Sequence, residues 1–244
     1  MDLIKKFLSK KQVSIPEQLR TWLETDRRYA TFYAAMLIID NEQVPGDIFE
    51  FGVGVGRSLA LLSYCHKSNL HYYPYLQNDA LMKRRFVGFD TFSGLPDAEE
   101  HPRWYKGLFG RNYEDQHPLL AWDEPITQNS IYTIFDLLKL PEPKLHKGLF
   151  DKVLPEVIYN YQKAALIHID CDLYYGTKVA LDALEPLIQP GTFILFDDYF
   201  CFKGDPKRGE AGAFNDFLAE HKDWQPIHYR QYSVYSNSFI LHRR

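Results

Sequence analysis

Residues 44–58 join an apolar strand to a helix through a turn that contains three alternate glycines. Gly52, Gly54 and Gly56 follow the strand directly, and Ser58 lies in the first turn of the expected helix. Glycine has no Cβ atom, so the backbone of this turn can approach a ligand closely, and the first amides of the helix face the same ligand. A strand, a glycine turn and a helix in this order are typical of nucleotide-cofactor sites.

The spacing of the turn argues against a dinucleotide. The NAD fingerprint G-x-G-x-x-G has an acid about 20 residues further on. Here the third glycine comes one residue early, Arg57 stands at the fingerprint position, and the next acid at a strand end, Asp90, is much further away. Glu50 before the glycines and Asp90 after the second strand instead favour S-adenosylmethionine, which presents a sulfonium, an amino group and a ribose diol. A tight turn without a ligand is the alternative.

Length and composition limit the protein classes. A chain of 244 residues fits one α/β domain, and we take 1–244 as a single domain. The net charge of −4 and the absence of long Lys/Arg runs argue against a nucleic acid substrate. Three cysteines without a C-x-x-C pair suggest reduced thiols, and no apolar run is long enough to span a membrane. We therefore expect a cytoplasmic protein without membrane contact, and a homo-oligomer stays open.

Apolar patterning predicts a doubly wound α/β fold, because strands and helices alternate along most of the chain. The last two extended runs suggest an antiparallel hairpin that completes a seven-stranded, mostly parallel sheet. Residues 1–43 form a predicted helical N-terminal cap, with helical spacing over 16–40. The predicted strands cover 47–53, 86–90, 145–150, 165–170, 192–198, 226–234 and 238–242, and the predicted helices cover 57–66, 154–163, 177–188 and 211–221.

Two long insertions, 67–85 and 97–130, interrupt the regular units. Loops of this length usually have a function or pack a small core of their own. The second insertion is rich in large aromatic residues and is predicted either to form a lid over a substrate or to pack beneath a surface loop. These aromatic residues are Trp104, Tyr105, Phe109, Tyr113 and Trp122.

Acidic residues follow two consecutive buried strands. Asp170 and Asp172 end one strand, and Asp197 and Asp198 end the next, with one helix between them. In such a crossover the strands are parallel and their carboxyl ends meet at one edge of the sheet, where α/β proteins bind ligands. Asp170, Asp197 and Asp198 are therefore expected to converge. Carboxylates so close together need a cation, and hard oxygen ligands suit Mg²⁺ or another divalent ion.

Two neighbouring residues have simpler structural interpretations. His168 shares a strand face with Asp170 but lies one pleat deeper, which favours a satisfied core histidine over a metal ligand. Asp172 could cap the helix predicted to begin near Thr177.

The sequence resembles the macrocin O-methyltransferase-like family, class I enzymes with a Rossmann-like fold that use S-adenosylmethionine to methylate sugar hydroxyls of natural products. The order and spacing of the matching segments fit over about 44–217. The family's Cys-Gly-hydrophobic-Arg-Gly run is replaced here by Phe51-Gly52-Val53-Gly54-Val55-Gly56, and its Asp-Gly-Asp by Asp170-Cys171-Asp172. The matching segments are 44–53, 88–96, 147–155, 168–174, 190–191 and 197–199.

The resemblance implies a mechanism. A substrate hydroxyl bound to a divalent cation attacks the sulfonium methyl in line, and Asp170 accepts the proton as general base. The acceptor is expected to be a sugar hydroxyl on a glycoside or polysaccharide. A catechol or other phenol is the alternative acceptor, while an NAD-dependent oxidoreductase and a non-catalytic partner protein on a methyltransferase fold are the alternative functions.

The resemblance also assigns residues to the two sites. Asp170, Asp197 and Asp198 are the expected metal ligands, and Gly148, Leu149 and Phe150 are expected to lie near adenine. The expected cofactor-binding residues are Glu50, Gly52, Gly54, Ser58, Asp90, Thr91, Phe92, Gly148, Leu149, Phe150 and Asp170.

Overall fold

A computed structural model of the chain describes residues 14–97, 104–112 and 117–244. Helices and strands alternate through most of this range, with short 3₁₀ turns between some of them. The helices are α1 (Ile15–Glu24), α2 (Tyr29–Asn41), α3 (Arg57–Tyr72), α4 (Asp79–Met82), α5 (Gln128–Leu137), α6 (Phe150–Val157), α7 (Tyr174–Leu184) and α8 (Gly209–Glu220), and the strands are β1 (Asp47–Phe51), β2 (Phe86–Asp90), β3 (Lys144–Lys147), β4 (Ala164–Ile169), β5 (Thr192–Phe196), β6 (Trp224–His228) and β7 (Asn237–Arg243).

The strands form one seven-stranded sheet in the order β3-β2-β1-β4-β5-β7-β6. Neighbours from β3 to β5 are parallel, whereas β7 is antiparallel to both β5 and β6. This architecture confirms the predicted doubly wound sheet with a closing antiparallel hairpin. The strand order reverses between β1 and β4, and ligands bind at such a switch point in open α/β sheets.

The central strands are buried on both faces, so their sequences are nearly continuous apolar runs. In β1 every residue is buried, with Ile48 packed in the core on one face and Phe49 and Phe51 in the core on the other. Glu50 therefore shares its face with Ile48, and its neighbour in register on β4 is His168.

The predicted helical cap contains two helices within the described residues. Helix α1 ends at Glu24 and α2 begins at Tyr29, so 25–28 forms a turn between them. The apolar spacing over 16–40 continues across this turn and does not mark its position. Residues 1–13 of the predicted cap lie outside the described residues.

Several boundaries differ from the sequence prediction. The strand predicted at 145–150 ends at Lys147, and the next helix begins at Phe150, because Gly148 has a left-handed backbone that ends the strand. Helix α7 begins three residues before Thr177 with Leu173 as its N-cap, so Asp172 does not cap it. The helix predicted over 57–66 extends to Tyr72.

Helix α5, over 128–137, was not predicted. Its apolar residues pack against the core beside α1, and Thr127 and Ser130 form a capping box at its start. Within the described part of the chain, no helix is both long and apolar enough to cross a membrane.

Candidate active site

The carboxyl ends of the parallel strands open into one cavity of about 1780 Å³. Drug-sized ligands occupy cavities of roughly 300–1,000 Å³, so this cavity has room for a nucleotide cofactor and a second substrate. Most of the site residues expected from the sequence line it, namely Gly52, Gly54, Ser58, Asp90, Thr91, Leu149, Phe150, Asp170, Asp197 and Asp198.

Three expected cofactor residues lie behind the cavity wall. Glu50 is fully buried and bonds to His168 across the β1–β4 pair. The backbone amide of Phe92 donates to the Asp90 carboxylate at 2.6 Å. The amide of Gly148 donates to the Asp90 carbonyl at 2.9 Å. These three residues are not among those that line the cavity, and direct contact with a cofactor stays a prediction.

The glycine turn is built around two different requirements. Gly52 has a φ of +89°, and a Cβ on it would lie 1.8 Å from the carbonyl oxygen of Asp170. Gly54 has a φ of +48°, and a Cβ there would meet no atom of the described residues within 4 Å. Gly52 thus lets β1 and β4 approach each other, whereas Gly54 presents bare backbone to the open cavity.

Asp90 holds this turn in place. Its carboxylate accepts hydrogen bonds from the amides of Gly54, at 2.8 Å, and Phe92. Burial raises the pKa of Asp90, and the backbone amides that it accepts from counteract this effect. The carboxylate is thus fixed beside the glycine turn at the end of β2.

Asp170 and Asp197 lie together, and two arginines form ion pairs with them. Arg28 Nη1 lies 3.0 Å from Asp170 Oδ2 and 3.8 Å from Asp197 Oδ2. Arg27 Nη2 contacts the same Asp197 oxygen at 2.5 Å. Burial and the charge of Asp197 raise the pKa of Asp170 well above its ordinary value, and Arg28 lowers it. The sequence analysis required a cation at this point but missed these two residues, whose only signal was a basic pair within the helical pattern over 16–40.

The turn between α1 and α2 links the acid pair to the glycine turn. Asp26 accepts from the Arg28 side chain at 3.0 and 3.1 Å and from its backbone amide at 2.8 Å. The second oxygen of Asp26 pairs with Arg57 Nε at 3.0 Å, directly after the glycines. Arg57 also bonds to the Trp22 carbonyl and lies over the Trp22 ring. One buried carboxylate therefore connects both halves of the cavity.

Asp198 belongs to a second acidic cluster. Its side chain shares a hydrogen bond with Asp172 and accepts from the Cys201 thiol at 3.2 Å, while its amide donates to Glu210 at 2.9 Å. Burial and nearby carboxylates raise the pKa of Asp172 and Glu210 well above their ordinary values. Asp198 thus lines the same cavity as Asp170 and Asp197 while its side chain is bonded within this second cluster.

His168 is only partly satisfied as a core residue. Its Nδ1 lies 2.8 Å from Glu50 Oε1, but Nε2 has no hydrogen-bond partner among the described residues. Asp197 Oδ1 is likewise buried without a partner. Ligand atoms of His168, Asp170 and Asp197 all lie within 4.8 Å of one another.

Two aromatic residues of the 97–130 insertion line the cavity. The Trp104 ring meets the Phe202 ring edge-on at 5.1 Å, and Phe109 also lies on the wall. Tyr105 and Trp122 are largely exposed, and Tyr113 lies outside the described residues. Residues 98–103 are likewise outside them, and lid movement stays a prediction.

This geometry agrees with a comparison of the sequence with known families. The family model described as Macrocin-O-methyltransferase (TylF) matches residues 11–232. The chain belongs to this family. Family members are O-methyltransferases, which agrees with the resemblance found in the strand-end motifs.

Individual relatives are more distant. A 4'-O-methyltransferase of Streptomyces olivaceus, acting on 8-demethyl-8-(2,3-dimethoxy-alpha-L-rhamnosyl)-tetracenomycin-C, is 29% identical over 64% of this chain and 54% of its own length. The chain spans about half the length of the curated relatives that it matches.

Solved structures share the fold. A calicheamicin methyltransferase has a TM-score of 0.64 at 23% identity, covering 98% of this chain and 90% of its own. An O-methyltransferase from Bacillus cereus in complex with S-adenosylhomocysteine has a TM-score of 0.53 at 15% identity, covering 98% and 96%.

The two turn glycines give a matched pair of variants. Gly52→Ala should severely destabilise the protein, because its new methyl group would collide with the Asp170 carbonyl. Gly54→Ala should cost only about 1–2 kcal/mol of left-handed backbone strain. This variant should fold but bind S-adenosylmethionine at least ~10-fold more weakly, because its new methyl group faces the cavity. A tenfold loss of affinity corresponds to about 1.4 kcal/mol of binding free energy. Thermal unfolding and calorimetry measure both effects. Wild-type cofactor affinity in Gly54→Ala would remove the turn from the cofactor site.

The two arginines of the 25–28 turn give a second pair. Arg28→Gln should lose about 3–5 kcal/mol of stability, because it leaves buried carboxylates without their counter-charge. Arg27→Gln should lose only about 0–1 kcal/mol, since this side chain is 63% exposed. Urea unfolding with and without millimolar Mn²⁺ checks both, and Mn²⁺ should restore Arg28→Gln selectively. Equal losses in both variants, or no rescue by the metal, would contradict the need for a cation here.

Proposed function

We propose that this protein is an S-adenosylmethionine-dependent O-methyltransferase that methylates a sugar hydroxyl of a glycoside. The observation that carries the proposal is the position of Asp170, whose carboxylate shares one cavity with the glycine turn and Asp90. A candidate base and a candidate cofactor site thus lie at the same switch point of the sheet. Family membership and the sugar O-methyltransferase among the relatives support this choice.

The cofactor half of the cavity suits an adenosyl ligand. Gly52 and Gly54 leave bare backbone, Asp90 provides a carboxylate for a ribose diol, and Leu149 is an exposed apolar side chain for a purine ring. S-adenosylmethionine supplies an already activated methyl group. The chain therefore needs mainly to align the acceptor and exclude water.

Asp170 is the proposed general base. Burial raises its pKa, which makes its carboxylate a stronger base, while the positive charge of Arg28 keeps the ionised form accessible. Its side chain is 26% exposed, so it reaches the cavity where an acceptor hydroxyl would bind. In this role Asp170 accepts the hydroxyl proton as the new C–O bond forms.

The acid pair also fits a divalent cation. The guanidinium of Arg28 already contacts both Asp170 and Asp197 as a positive group, and Asp197 Oδ1 is buried without a hydrogen-bond partner in the described part of the chain. Asp170, Asp197 and the adjacent Asp198 are the proposed ligands of Mg²⁺ or another divalent ion. When bound, the ion would lower the pKa of an acceptor hydroxyl.

The remaining wall favours a cyclic acceptor. Trp104, Phe202 and Tyr235 line the cavity beyond the acid pair, and aromatic faces pack well against sugar rings and aglycones. A phenolic acceptor would contact the same aromatic residues. A direct comparison of sugar and phenol acceptors in an activity assay therefore distinguishes the two substrate classes.

The activity can be tested directly on the purified full chain. We expect methyl transfer from S-adenosylmethionine to a rhamnosyl glycoside or a nucleotide-linked deoxysugar, detected by mass spectrometry as a gain of one methyl group. Catechols serve as the comparison acceptors, and NAD as the comparison cofactor. Transfer to catechols alone would shift the substrate class, and binding of NAD without S-adenosylmethionine would overturn the proposal.

Asp170→Asn tests the base. The amide cannot accept the proton, so the rate should fall by ~10²–10⁴-fold while cofactor affinity changes little. Asp182→Asn is the matched control, because this acid is exposed on α7 and pairs only with Lys178 among the described residues. A near-normal rate in Asp170→Asn, measured at saturating metal, would remove Asp170 from the proton transfer.

Chelation tests the metal. Incubation with a chelator and removal of the complex should abolish turnover, because the acceptor hydroxyl loses its acidifying ligand. Binding of S-adenosylhomocysteine, followed by calorimetry, should be mostly retained, and added divalent metal should restore turnover. Full activity in excess chelator would contradict the metal requirement.

A further inference from the structure

We propose that Arg57 binds the carboxylate of the methionine portion of S-adenosylmethionine. The inference rests on the proposed function in taking S-adenosylmethionine as the cofactor. It adds a residue that the expected cofactor-binding set does not contain, and it makes the N-terminal helices, which orient Arg57, part of the cofactor site.

The position of Arg57 carries the first step. Arg57 is the first residue of α3 and lines the cavity together with Gly54 and Ser58. The N-cap of α3 is Gly56, which has no side chain that could accept from the first amides of the helix. A carboxylate at this end of α3 would meet backbone donors, the positive end of the helix dipole and the Arg57 guanidinium.

The hydrogen bonds of Arg57 carry the second step. Its Nε lies 3.0 Å from Asp26 Oδ2, while Nη2 contacts the Trp22 carbonyl and lies 3.3 Å from Thr25 Oγ1. The other terminal nitrogen, Nη1, has no hydrogen-bond partner in the described part of the chain. The side chain is 25% exposed, so the guanidinium is accessible from the cavity. Its planar fork of N–H donors matches the geometry of a carboxylate.

The turn between α1 and α2 fixes the Arg57 side chain before any ligand binds. The guanidinium carbon lies 5.2 Å from the centre of the Trp22 ring, which covers one face of the group. Asp26 is itself held by Arg28, whose side chain and backbone amide both donate to it. A side chain held in this way loses little conformational freedom when it binds a ligand.

The charges around Arg57 favour an additional anion. Burial lowers the pKa of the Arg57 guanidinium, Asp26 raises it, and the positive charges of Arg28 and Arg27 lower it. Asp26 forms ion pairs with both Arg28 and Arg57, so one carboxylate serves two guanidinium groups. A carboxylate supplied by the cofactor would therefore offset both the burial of Arg57 and the repulsion from its neighbours.

Two ligands that differ by a single group test the contact on the full chain. S-adenosylhomocysteine carries the carboxylate, and S-adenosyl-3-thiopropylamine lacks only that group. By calorimetry, the wild-type protein should bind S-adenosylhomocysteine at least ~10-fold more tightly, because a charge-assisted hydrogen bond is lost with the carboxylate. Arg57→Gln should lose ~10–100-fold in affinity for S-adenosylhomocysteine and keep its affinity for the decarboxylated ligand.

Two further variants complete the experiment. Arg57→Lys retains the positive charge without the planar fork, so its affinity for S-adenosylhomocysteine should lie between those of wild type and Arg57→Gln. The control Arg20→Gln, at an exposed arginine of α1, should keep both affinities.

The outcomes separate the inference from the proposed function. An unchanged affinity of Arg57→Gln for S-adenosylhomocysteine, or equal losses for the two ligands, would overturn the role of Arg57 while leaving the cofactor assignment intact. A wild-type protein that binds neither ligand would overturn the inference together with the proposed function.

Discussion

The charge balance at the carboxyl ends of β4 and β5 is the constraint on which this site depends. Parallel pairing brings Asp170 and Asp197 to the same edge, and the amide of Asp197 continues the ladder by donating to the Ile169 carbonyl at 2.9 Å. Two carboxylates in this position repel each other and are costly to bury. The fold offsets that cost with Arg28, which is supplied by the turn before α2.

That turn also holds the two halves of the cavity in a fixed position relative to each other. Asp26 accepts hydrogen bonds from Arg28 on the acid side and forms an ion pair with Arg57 on the glycine side. Gly52 in turn allows the backbone of β1 to lie against the Asp170 carbonyl. A displacement of the N-terminal helices would therefore affect the base and the cofactor turn together.

Much of this arrangement could be predicted from the sequence. The alternation of strands and helices predicted the parallel sheet. The residues after each strand predicted the position of the cavity, because strand ends at a switch point converge. Family motifs then assigned the chemistry. Strand and helix ends were less accurate, since Gly148 ends β3 through its backbone conformation, which apolar spacing does not report.

The remaining features depend on side-chain directions that only the folded chain determines. Arg28 is 142 residues from Asp170 in sequence, and no local pattern pairs them. Asp197 and Asp198 are adjacent in sequence, yet one faces Asp170 and the other faces Asp172 and Cys201. His168 was expected to be a satisfied core residue, and only its hydrogen bonds show that one nitrogen lacks a partner among the described residues.

The central claim is that one cavity holds the methyl donor beside Asp170. A crystal structure of the full chain with S-adenosylhomocysteine tests it most directly. The account predicts the ribose at Asp90, the adenine against Leu149, and the cofactor sulfur facing the Asp170 carboxylate across a gap that a hydroxyl could fill. Cofactor bound elsewhere, or a sulfur screened from Asp170 by an unmoved Arg28, would contradict it.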